Sequence, residues 1–292
     1  MFPIIIFSFK NNEQRLMFVL NCKGRSLTVD KPLVMGVINV TPDSFYSGSR
    51  RSGIDEILRT ADQMLTDGAD IVDIGGQSTR PGSEQLSLEE ELRRVIGAVG
   101  SIHKKFPQAI ISIDTFYSKV AKEAVESGAS IVNDISAGNM DENMIPVVAA
   151  LKVPYVLMHM QGIPKTMQVE PHYDNVVEEV FEFFQKKILS LQKAGIKDIV
   201  IDPGFGFGKT IAHNFELLRN LSSFTKLNHP ILAGLSRKSF AYKTIGVGSD
   251  EALTGTIVLN TIALLNGASI LRVHDVKEAR QTIQLIREYI KK

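Results

Sequence analysis

One cysteine and no tryptophan occur in this chain of 292 residues. The lone Cys22 excludes an intrachain disulfide and any multi-cysteine metal site, and it suits a reducing cytoplasm, which is the expected location. An excess of charge is also missing. Lys and Arg number 33 against 32 Asp and Glu, a net charge of +1, which gives no general attraction to nucleic acid or to an anionic membrane. Neither is expected as a partner, and any cationic site must be local. No apolar run approaches the ~20 residues that a membrane span needs. The apolar stretch Met1 to Phe9 has no basic residue before it and no small-residue cleavage pattern after it, which argues against a signal peptide. Residues 1–16 read as an extension or an upstream start.

What the chain does have is a set of eight short apolar runs, each ending in a polar or glycine-rich cluster. VMGVIN stops at Asn39, ADIVDIGG passes Asp73, and AIISID stops at Asp114. SIVND stops at Asn133 and Asp134, YVLMH at His159, and DIVID at Asp202. ILAGLS runs into Arg237 and Lys238, and SILRVHD ends at Arg272, His274 and Asp275. Runs of this length and composition are strands buried on both faces. Polar groups gathered at one end of successive parallel strands form the active site of a (β/α)8 TIM barrel. The expectation is an α/β chain with one domain over 17–292: an N-terminal β-hairpin at about 18–30, turning at Gly24, and a barrel at about 33–291. A hydrophobic share of 44% is enough for its core.

Helical patterns fall at 53–67, 87–105, 117–128, 141–151, 174–194, 212–222, 251–267 and 276–291. Ser87 with Glu90 spells a capping box, and Asp141 and Asp250 stand where caps are expected. Gly68, Gly128, Gly195 and Gly267 precede strands two, four, six and eight, where a helix end calls for positive φ. The connections 41–53 and 75–87, rich in Gly, Ser and Pro, read as lids over the mouth, and 160–173 reads as a further mobile loop.

IDPGFGFGKT carries Lys209 but lacks the Walker spacing, so it is not a phosphate loop of that kind. Phe205 and Phe207 between its glycines suggest a flat, aromatic-edged site. Asp114, Asn133 and Asp202 allow two readings: a metal cluster, or a polar wall for a planar heterocycle whose N–H edge matches a carboxylate. Arg237, Lys238, Arg272 and His274 follow strands seven and eight, where barrels bind phosphate, and Arg80 adds a cation from the second lid. They point to an anionic substrate or leaving group, with a salt bridge from Arg237 to Asp275 or Glu278 as the competing role.

Taken in order, GVINVTPDSF, DIGGQSTRPG, SIDTF, ASIVNDISAG, MHMQGIPKTMQ, IDPGFGFGKT, GLSRKSF and RVHDV closely resemble the dihydropteroate synthase family, from the hairpin to about residue 290. The resemblance implies condensation of a dihydropterin methyl diphosphate with 4-aminobenzoate, Mg²⁺ as cofactor, a TIM barrel and a homodimer. It assigns the pterin to Asp114, Asn133, Ile135, Met158, Asp202, Lys238 and Arg272. It assigns the diphosphate to Asn39, Arg272 and His274, with Asn39 also on Mg²⁺. It assigns the aminobenzoate to Phe45, Thr79, Arg80, Pro81, Phe207, Lys238 and Ser239. Catalysis would fall to Asn39, Arg80, Asp114, Lys238, Arg272 and His274. The implied course is loss of diphosphate to give a pterin-methyl cation, which the neutral arylamine captures. Two positions depart from the pattern: Gln77 replaces a usual Glu, and Tyr46-Ser47-Gly48 replaces Ser-Asp-Gly. Alternative readings are a barrel that moves methyl groups from methyl-folate, a non-catalytic pterin or phosphate binder, and a lyase with a Schiff-base lysine at 209 or 238.

Overall fold

The structure is a computed structural model that describes residues 17–40, 50–77 and 85–291. The hairpin pairs β1 (Phe18–Cys22) with β2 (Arg25–Val29). Lys23 and Gly24 turn it with φ of 53° and 83°, and two successive positive φ values are what a two-residue turn needs to follow the strand twist.

Eight parallel strands follow: β3 (Leu33–Asn39), β4 (Ile71–Gly75), β5 (Ile110–Asp114), β6 (Ile131–Asp134), β7 (Tyr155–Met158), β8 (Ile199–Asp202), β9 (Leu232–Ala233) and β10 (Ile270–Val273). They pair in the order β8-β7-β6-β5-β4-β3-β10-β9. A bridge between Ile201 and Ile231 joins the two ends, with the Ile201 N–H donating to Pro230 O at 2.9 Å. This is the expected (β/α)8 barrel, preceded by its hairpin.

Alternation along each strand sorts the side chains into two layers. Val72, Ile74, Ile111, Ile113, Val132, Leu157, Ile201 and Leu271 face outward and pack beneath the helices. Inward at the start of the strands lie Leu33, Ile71, Ile110, Ile131, Val156, Val200, Leu232 and Ile270, and Leu20, Cys22 and Val29 of the hairpin close over them. The floor of the barrel is therefore apolar and plugged. Moving up by steps of two from those residues leads to Asp73, Asp114, Asn133, Met158, Asp202 and Arg272. Period two alone brings these to the open end.

The glycine caps hold: Gly68, Gly128, Gly195 and Gly267 all have positive φ. Other local expectations are corrected. Ser87 Oγ accepts from the Glu90 N–H, but the Glu90 carboxylate turns to Arg93 and Arg94, so only half of that box forms. The complete capping box is at Thr210 and His213. Asp141 serves two helix starts at once, Oδ1 accepting from the Asn143 N–H at 2.9 Å before its own helix and Oδ2 from the Ser118 N–H at 2.7 Å at the start of another. Asp250 lies inside a 3₁₀ turn, Ser249–Glu251, and Ala252 begins the next helix without a side-chain cap. The pattern 212–222 is a helix Ile211–Arg219 followed by a 3₁₀ segment Leu221–Leu227. A short helix, Ser239–Ile245, had no visible period because it spans only 7 residues.

Candidate active site

Arg272 stands at the centre of the mouth. Its Nε donates to Asp73 Oδ2 at 2.7 Å and its Nη2 to Asp114 Oδ2 at 2.6 Å. Asn133 Nδ2 also donates to Asp73 Oδ2, at 3.1 Å. Strands β4, β5, β6 and β10 are thus tied together by one guanidinium, two carboxylates and an amide. Burial pushes the Asp114 carboxyl upward, and Arg272 opposes it while Asp73 and Asp134 add to it. Burial works against the Arg272 charge, but Asp73 and Asp114 outweigh it and hold the group cationic.

Asp202, at the end of β8, accepts the Gly204 N–H on Oδ1 at 2.8 Å. Burial raises its pKa, and that N–H, Lys238 and Arg272 oppose the shift. Lys238 lies opposite, its pKa lowered to about 8, first by burial and then by Arg272. Its Nζ sits 4.1 Å from the centroid of the Phe207 ring, a separation at which a cation is drawn to the ring face. Ile135, Met158 and Phe207 form an apolar shelf with Phe116 and Met167 beside these polar groups. A polar wall beside an apolar shelf suits flat molecules with hydrogen-bonding edges.

Asn39 ends β3 with its side chain exposed, and Ser239 follows Lys238 half-buried. His274 lies one residue beyond β10, 3.0 Å from Ser236 Oγ through Nδ1. Desolvation, and then the Arg272 charge, lower its pKa to about 4, so the ring is neutral at pH 7. Arg237 takes the competing role: Nη2 and Nε bind the two Asp275 oxygens at 2.7 and 3.1 Å. Phe45, Ser47, Thr79, Arg80 and Pro81, with most of both lids, lie outside the described residues.

The loop after β8 is built around Lys209, which the sequence offers only as an alternative Schiff-base lysine. Lys209 is buried, and its Nζ meets Gly204 O at 3.0 Å, Phe207 O at 2.9 Å, His159 O at 3.3 Å and His159 Nδ1 at 3.0 Å. Burial lowers the Lys209 pKa to about 7, and the amine so engaged staples the loop to His159. Phe205 does not edge the site as expected; it is buried in the outer layer, its ring stacked near Phe240. The 160–173 connection is anchored rather than free: Gln168 Nε2 donates to Gly206 O at 2.7 Å and the Tyr173 hydroxyl to Gly208 O at 2.9 Å. Gln77 accepts the Leu86 N–H on Oε1 at 3.0 Å, a task that an amide oxygen performs without burying a charge.

Asp73, passed by the second apolar run, has no role assigned from the sequence. The signal was present, because a lone carboxylate inside the buried run IVDIG must have a partner. Ser236 and Lys209 gave no such signal, since their roles depend on loops meeting in space.

The profile of the family described as pterin binding enzyme matches residues 35–274. The dihydropteroate synthase of Escherichia coli K12 is 43% identical over 269 residues, covering 91% of this chain and 95% of that protein. A structure of Xanthomonas albilineans dihydropteroate synthase with 4-aminobenzoic acid superposes with a TM-score of 0.86 at 40% identity, covering 93% of this chain and 97% of that one. The Yersinia pestis enzyme in a sulfonamide drug complex gives 0.87 at 39% identity, covering 93% and 99%. With the barrel, the polar mouth and these likenesses in agreement, the chain belongs to the pterin-binding enzymes and, within them, to the dihydropteroate synthases.

Proposed function

We propose that this mouth joins a (7,8-dihydropterin-6-yl)methyl diphosphate to 4-aminobenzoate, giving 7,8-dihydropteroate and diphosphate. The observation that carries the reading is the union of Asp114, Asn133, Asp202, Lys238 and Arg272 with the Ile135, Met158 and Phe207 shelf at one end of the barrel. Asp202 Oδ1 is already occupied by the Gly204 N–H, so Oδ2 takes the N–H edge of the pterin. Arg272 and neutral His274 hold the diphosphate, and Lys238 and Ser239 face the aminobenzoate with Phe207. The C–O bond to diphosphate breaks first, and the negative charge of the carboxylates favours the pterin-methyl cation that remains. The arylamine nitrogen then forms the C–N bond and sheds its extra proton to solvent. The chain's contribution is positioning two flat rings and binding the departing anion.

Mg²⁺ is proposed at Asn39. No group of three His, Cys, Asp or Glu side chains among the described residues suits a metal ion. One exposed amide oxygen matches a cation that keeps most of its shell for water and substrate phosphates. Bound there, Mg²⁺ would supply charge neutralisation to the diphosphate. A homodimer is proposed through the exposed apolar side chains Val258 and Ile262 on one helix and Leu285 and Tyr289 on the next. Among the described residues no helix is long and apolar enough to cross a membrane, and the buried thiol of Cys22 suits a reducing cytoplasm.

The test is incubation with Mg²⁺, the pterin diphosphate and 4-aminobenzoate, followed by chromatography. Dihydropteroate and diphosphate should appear in equal amounts, and a sulfonamide should inhibit in a way that more aminobenzoate relieves. Diphosphate release without dihydropteroate would overturn the reading.

A further inference from the structure

Ser236 lies on the inward side beyond β9 and is 5% exposed. The backbone N–H of His274 donates to its Oγ at 3.2 Å, so in that bond the hydroxyl oxygen is the acceptor. The same oxygen stands 3.0 Å from His274 Nδ1. Among the described residues Nδ1 is the only acceptor within reach of the hydroxyl hydrogen. Directed at Nδ1, that hydrogen meets a lone pair, whereas the reverse arrangement would give the oxygen two donors and leave the hydroxyl hydrogen outside the pair. A neutral imidazole with a lone pair on Nδ1 carries its proton on Nε2.

We propose that Ser236 is a positioning residue that fixes His274 in the Nε2–H tautomer and fixes its ring plane, so that the mouth offers an anion a neutral N–H donor. The proposal rests on the assignment of His274 to the diphosphate. The opposite tautomer would turn a lone pair toward phosphate oxygens and convert one hydrogen bond into a repulsion. The ring does not need to be charged to do this, which agrees with a pKa depressed by desolvation and then by the Arg272 charge. Ser236 would touch neither substrate, and its effect would pass entirely through the imidazole.

The experiment uses the full chain labelled with ¹⁵N, at pH 7.5, with His274 resonances identified by their loss in His274→Ala. In the wild type, Nδ1 should resonate as an unprotonated ring nitrogen and Nε2 as a protonated one. In Ser236→Ala the two should move toward each other as the ring samples both forms. Calorimetry with Mg²⁺ and pyrophosphate should show about three- to tenfold weaker binding in Ser236→Ala, the loss expected for one misaligned hydrogen bond. Ser236→Thr, which keeps the hydroxyl, should restore it. A dihydropterin without the diphosphate should bind Ser236→Ala as it binds the wild type. A proton on Nδ1 in the wild type would overturn the proposal, as would unchanged resonances and unchanged pyrophosphate affinity in Ser236→Ala. Full pyrophosphate affinity in His274→Ala would instead overturn the diphosphate assignment, whatever the tautomer.

Discussion

Asp73 and Arg272, 199 positions apart in the chain, meet inside the barrel through Nε and Oδ2 at 2.7 Å. Asp73 is fully buried and the Arg272 side chain is 19% exposed. Breaking such a pair from one side leaves a buried charge poorly compensated, which is typically worth about 3–5 kcal/mol. Asp73→Asn keeps the shape and a weaker acceptor, so its cost should fall near the lower end. Asn133 would share the same weakened acceptor, and pterin affinity should drop by about tenfold. Urea unfolding and pterin calorimetry check the two effects, and a variant with wild-type values in both would show that Arg272 needs no second carboxylate.

Asp202→Asn is expected to remove useful pterin binding with little change in fold. Its Oδ1 can still accept from Gly204, which preserves the loop. The group left on the other side then becomes an amide N–H facing the donor edge of the pterin. Mispaired buried polar groups cost about 1–3 kcal/mol, more where a charge was involved. Retained pterin affinity in this variant would remove Asp202 from the site.

Glu91 gives a prediction about pH. Burial pushes its carboxyl from 4.5 to about 7. The folded state therefore holds this proton after the unfolded chain has released it. The associated stability is complete below pH 4.5 and declines as pH rises toward 7, by an amount on the order of 3 kcal/mol. Glu91→Gln lacks this decline and should gain on the wild type between pH 5 and pH 8. Urea midpoints at the two pH values measure it; parallel behaviour of both proteins would mean that Glu91 ionises normally.

Gly204 and Gly195 separate two kinds of glycine requirement. Both have positive φ, but a Cβ at 204 would lie 1.9 Å from His159 O, whereas one at 195 meets nothing within 4 Å. Gly195→Ala should cost about 1 kcal/mol, the strain of the left-handed backbone alone. Gly204→Ala should cost about 3 kcal/mol or more and reduce activity, because the loop carrying Phe207 must move. Thermal melts of the two variants decide the matter, and equal losses would show that the close approach to His159 relaxes freely.

The sequence displayed the barrel and its polar end because both follow from period two. Once Ile110 or Ile131 is placed at the floor, Asp114 and Asn133 must rise on the inward side. The helix-ending glycines were equally legible, since only backbone conformation is at stake at Gly68 or Gly267. Roles set by contacts between distant segments were not legible. Spacing alone removes Lys209 from the Walker loops, but its task of binding His159 and the loop carbonyls emerges only when the segments meet. Phe205 and Phe207, two residues apart with the same side chain, parted because one meets Phe240 and the other Lys238. Asp141 meets Asn143 at the start of the helix that follows it, as local pattern suggests, and also Ser118 of a helix that ends before it, which no local pattern could have indicated.

The hairpin plug has a consequence for whatever may be joined to this molecule. Met17 enters beside the sealed floor, and the helix Val276–Ile290 descends from the mouth toward the same side. Both ends of the described chain therefore emerge on the face remote from the chemistry. A label or a surface tether placed at Lys291, or on the hairpin turn at Lys23, would leave substrates an open approach to the mouth.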